Sequence, residues 1–105
     1  MPDIPIDRFD AALDMLVAGP GGIKDRLQAA WLKIVALPET RLPSGEIRQE
    51  FLGLLEAVSY RQPRGEEGKL AATIAAMTDD EAARCARSLL RYWLKLRAVA
   101  GHAAA

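Results

Sequence analysis

One cysteine and one histidine among 105 residues leave this chain short of the side chains that most metal and nucleophile chemistry requires. A lone cysteine forms no internal disulfide, and together with one histidine it falls short of a usual zinc site. The cysteine count, and the lack of a signal-peptide pattern in MPDIPIDRFD, lead to the expectation of a reducing, cytoplasmic setting. Net charge is missing too: 14 basic residues balance 14 acidic ones, unlike a typical nucleic-acid binder. No uninterrupted apolar run approaches the roughly 18 residues of a membrane span. Convincing strand alternation and internal repeats are also absent. What remains is ordinary globular material, 50% apolar and 27% charged, enough for one domain with a modest core. Abundant alanine, with more arginine than lysine, fits a GC-rich bacterial gene.

The clearest positive signal is TDDEAARCARSLLRYWLKLR, residues 78–97. Thr78 and Glu81 have the spacing of a capping box, and Asp79 and Asp80 suit the positive end of a helix dipole. Ala82, Ala86, Leu89, Trp93 and Leu96 recur on one face, which Cys85 and Leu90 widen. Arg84, Arg87, Arg91 and Lys95 lie on the opposite side. A long amphipathic helix follows.

The earlier chain reads as shorter helices. Residues 1–6, with Pro2 and Pro5, form an extended arm. Asp7 then caps a helix that buries Phe9, Ala12, Leu13, Leu16 and Val17. Gly19 supplies a left-handed stop and Pro20 prevents continuation. A second helix spans 22–36 with Ile23, Leu27, Ala30, Trp31, Ile34 and Val35 inward. Residues 37–43, LPETRLP, are ordered but non-helical, with Leu37 and Leu42 available to pin them to the core. Ser44 caps a third helix to Tyr60, burying Ile47, Phe51, Leu54, Leu55 and Val58. Gly53 within it marks either a close helix crossing or simple drift. The polar stretch 61–65 is the expected mobile loop. A fourth helix, 66–77, presents Leu70, Ile74 and Met77, and either breaks at Thr78 or runs on as a kinked continuation. Residues 101–105 are expected to fray. The sum is an all-α compact bundle of about five helices with Trp31, Phe51 and Trp93 at its centre.

Catalytic patterns are sparse. The glycine-rich stretch 65–69 has the wrong spacing for a phosphate loop and carries two glutamates. Cys85 sits on the apolar side of its helix with no histidine near it in sequence. No cofactor and no metal site is expected. Arg97 and His102, separated by four residues, resemble the short Arg-x4-His motif of HEPN-type helical ribonucleases. That resemblance implies a histidine acting on the ribose hydroxyl and an arginine acting on the phosphate. The pattern departs from the family in having no polar residue after Arg97, and in Gly101, which loosens the helix before His102.

Two charged stripes are the remaining surface features. Asp7, Asp10 and Asp14 step by three and four opposite Phe9, Leu13 and Leu16, and Arg84, Arg87, Arg91 and Lys95 form the basic counterpart. The expectation is a non-enzymatic domain acting by protein–protein contact, as an accessory subunit or a homodimer in which the stripes meet. Leu37, Leu42 and Tyr60 are the candidates for an apolar patch between them. Nucleic-acid binding by the basic face is the alternative and an HEPN-like ribonuclease the third reading. No membrane partner is expected.

Overall fold

The computed structural model describes residues 4–61 and 68–104, with the backbone alone for 102–104. Five α-helices are present among the described residues: α1 (Ile6–Ala18), α2 (Ile23–Leu32), α3 (Glu46–Ser59), α4 (Lys69–Ala75) and α5 (Asp79–Ala104). A 3-10 turn at Glu39–Arg41 lies between α2 and α3, and the described residues contain no strand. The chain is thus an all-α bundle with its long amphipathic helix last.

Helix α1 buries Phe9, Ala12, Leu13 and Leu16, one face of a helical period. Val17 was expected on that face but is exposed. Pro5, not Asp7, precedes the first helical residue, and Asp7 lies in the first turn without a cap bond. The described part of the N-terminal arm is short: Pro5 is buried, and Ile4 and Ile6 pack against the core. At the other end Gly19 is extended (φ −67°, ψ 158°) rather than left-handed. The left-handed residue is Gly21 at φ +90°, where a Cβ would press on the Asp25 side chain. Asp25 Oδ2 accepts the Gly22 N–H at 3.3 Å and so starts α2.

Helix α2 stops at Leu32, short of the expected Ala36. Tighter turns follow, with Ile34 N–H donating to Trp31 O at 3.0 Å and Leu37 N–H donating to Ile34 O at 3.1 Å. Three-residue steps stack Ile34 and Leu37 on one side, and both are buried. Leu37 and Leu42 pin the intervening segment, so neither is available as a surface patch. Gly45 at φ +91°, not Ser44, opens α3; Ser44 is exposed and α3 has no side-chain cap bond. Of the expected α3 core, Phe51 and Val58 are buried, while Ile47, Leu54 and Leu55 pack against it partly exposed. A Cβ at Gly53 would meet no heavy atom of the described residues within 4 Å, so no described helix crosses closely there.

The Thr78 break is real. Thr78 N–H donates to Glu81 Oε1 and Glu81 N–H donates to Thr78 Oγ1, each at 3.1 Å. Leu70, Ile74 and Met77 are buried as the spacing predicts. Beyond Arg61, the 61–65 loop lies outside the described residues. At its edge Arg61 N–H donates to the fully buried Thr73 Oγ1 at 2.9 Å, a tie that the sequence does not advertise. The segment expected to fray beyond Gly101 is helical to Ala104.

Four aromatic rings from four helices fill the centre. Phe51 lies 5.9 Å from Phe9, 5.8 Å from Trp31 and 5.9 Å from Tyr92 between ring centroids. Tyr92 therefore takes the place expected of Trp93, which is only partly buried. The two adjoin on opposite edges of the α5 apolar face, and their polar ends find different acceptors. The Tyr92 hydroxyl donates to Ile47 O at 2.8 Å. The Trp93 indole reaches outward to α1.

Candidate interaction surface

Helix α5 is wedged between α1 and α3, and each neighbour takes one of its charged edges. Toward α3, Lys95 Nζ pairs with Glu50 Oε1 at 2.8 Å. Toward α1, Trp93 Nε1 donates to Asp10 Oδ1 at 2.7 Å, and Arg97 Nη1 pairs with the same oxygen at 3.2 Å. The Arg97 guanidinium also stands 5.2 Å from the Trp93 ring centroid. Asp10 and Lys95 thus leave the two stripes to serve as internal ties. Asp7 and Asp14 on α1, and Arg84, Arg87 and Arg91 on α5, are exposed and make no ion pair among the described residues.

The register of α1 against α5 follows from two contacts. Lys24 Nζ donates to Ala75 O at 2.9 Å, which sets the beginning of α5 near the corner where α1 ends. Asp10, in the first half of α1, meets Trp93 and Arg97 in the second half of α5. The helices run antiparallel. One turn further along α1, Asp14 comes level with residues one turn earlier on α5, between Leu89 and Trp93. Val17 follows, level with Ala86 and Leu90.

On the outer side of this pair lie large apolar side chains left in water: Leu90 (40% exposed), Leu94 (54%) and Val17 (75%). Leu90 was expected to widen the core face. On the helical wheel it falls beyond Trp93, at the edge that turns outward over α1. Leu94, four residues on, extends the same ridge. A spacing of four on the rim of the main stripe was the available signal for it. Arg87 and Arg91 flank the ridge on one side, and Asp14 and Asp7 of α1 flank it on the other.

A concavity of about 240 Å³ opens between α3 and α5, with Trp31, Leu54, Tyr60, Met77 and Cys85 among its walls. Trp31 is buried and its Nε1 has no hydrogen-bond partner among the described residues. Burial pushes the Cys85 thiol up, the reverse of what a nucleophile needs. Arg97, the arginine of the Arg-x4-His pattern, is committed to Asp10 and Trp93, and the His102 side chain lies outside the described residues. No group of three or more metal-ligating side chains occurs among the described residues. Nor is any described helix long and apolar enough to cross a membrane.

Comparisons with protein-family models, with curated proteins and with solved structures find no match.

Proposed function

We propose that this chain is a small non-enzymatic helical module that acts by protein–protein contact through the outer face of α1 and α5. The observation that carries the reading is the Leu90–Leu94 ridge. Two leucines one turn apart stand in water beside the partly buried Trp93, with unpaired charge of opposite sign on either side. An apolar centre with a polar rim is the anatomy of a contact surface. Single exposed apolar residues such as Leu32 and Tyr60 need no such explanation. The one free cysteine supports a cytoplasmic setting.

A photo-crosslinking residue placed at Leu94, and separately at the exposed Glu56 on α3, tests this in cells. Crosslinked protein from position 94 but not from 56 is the expected result. Equal yields at both positions, or none at either, would remove the reading.

Nucleic-acid binding is the second reading, favoured by the three exposed arginines, Arg84, Arg87 and Arg91, that no described carboxylate pairs. Retention on heparin that falls steeply with salt would support it. Elution at low salt would count against it.

A further inference from the structure

We infer that the partner of the α1–α5 face is a second copy of this chain, held in an isologous dimer whose two-fold axis runs along the groove between α1 and α5. The inference rests on the contact reading above and names the partner.

Charge placement carries it. The exposed carboxylates, Asp7 and Asp14, lie on the α1 side of the groove, and the exposed guanidinium groups, Arg87 and Arg91, lie on the α5 side. A two-fold axis parallel to the helices exchanges left for right without changing height. It lays α1 of one copy over α5 of the other, and the reverse. Asp14 then stands level with Arg87 and Arg91 of the opposite copy, twice by symmetry. Leu90, Leu94 and Val17 of both copies close the centre. A two-fold axis across the helices would instead set α1 on α1 and acid on acid, which the pattern disfavours. Asp10 and Arg97 neutralise each other within one copy, so neither charge is left bare near the axis.

Size sets the strength. Helix α5 has 26 residues and α1 has 13. Helix α1 of one copy covers only about as many residues of α5 as it has itself, so at about 1.5 Å per residue and about 10 Å of width each the overlap offers roughly 400 Å² per copy. The total, roughly 800 Å², lies below the range of stable interfaces and fits a weak, readily reversible dimer.

Charge reversal and mixing test both the partner and the symmetry. Asp14→Arg alone and Arg87→Asp alone each set like charges together at both contacts. Each is expected to weaken the dimer about tenfold or more in sedimentation equilibrium. An equimolar mixture restores an Arg–Asp pair at both contacts, so the dimer returns in the mixture. Both positions are exposed, and an unchanged helical circular-dichroism signal verifies the fold. A wild-type chain that stays monomeric at high micromolar concentration would overturn the inference. So would single variants that dimerise like wild type, or a mixture that fails to recover. The contact reading fails separately: crosslinking from Leu94 to a different protein in cells keeps it while removing self-association.

Discussion

Trp93 and Asp10, far apart in sequence, are joined by a 2.7 Å hydrogen bond from the indole Nε1 to the carboxylate. The bond fixes α5 against α1 and sets the register that brings Asp14 and Val17 beside Leu90. Arg97 closes on the same carboxylate from the next turn. Asp10→Ala leaves the indole donor of a partly buried ring unpaired and is expected to cost about 1–3 kcal/mol in urea denaturation. Asp10→Asn keeps an acceptor and should cost less than half as much. Equal losses in the two variants would mean that charge, not the hydrogen bond, carries the tie.

The four core aromatics are equally buried, and Phe51 stands at their centre. Phe51 touches three other rings, so Phe51→Ala should cost about 3–5 kcal/mol and Leu89→Ala about 2–5 kcal/mol. Arg87→Ala, on the exposed face, should stay within about 0.5 kcal/mol. A denaturation series with Arg87 as costly as Leu89 would place the wrong face inward.

The cap at Thr78 separates α4 from α5. Thr78→Ala removes the oxygen that accepts Glu81 N–H and should cost about 1 kcal/mol. A rise in melting temperature would mean that alanine's better helix propensity wins, and that the two helices run on as one.

Alkaline pH tests the burial of Tyr92. Desolvation, with a smaller contribution from Glu50, holds its phenol well above the usual range. The neutral form is the one the fold favours, so this stability is complete below the unfolded tyrosine pKa of about 10. It declines as pH rises from there toward the folded value, because the unfolded chain ionises first. Tyr92→Phe should flatten that decline, although it also gives up the bond to Ile47 O. An unchanged alkaline profile in the variant would contradict the burial.

Local signals in the sequence carried far and long-range ones did not. The Thr78–Glu81 cap and the periodic faces of α1, α4 and α5 are written within a few residues, and they predict the all-α architecture. Three features depend on what lies opposite in space. Tyr92 and Trp93 are neighbours on the apolar face, and only the acceptors at Ile47 and Asp10 decide which goes inside. Asp10 reads as one member of an acidic stripe until α5 is placed beside it. Leu37 and Leu42 look spare because the segment between them has no period, yet both are buried. Gly45 takes over from Ser44 for a backbone reason, a positive φ that spacing does not encode.

The most direct measurement of self-association through the α1–α5 face is a residue-resolved map of amide chemical shifts on dilution from millimolar to micromolar concentration. The account predicts that the amides that move cluster on 10–17 of α1 and 87–98 of α5, and that Leu94→Glu abolishes the movement. Shifts that stay constant throughout, or that move instead around Leu32 and Tyr60, would contradict it.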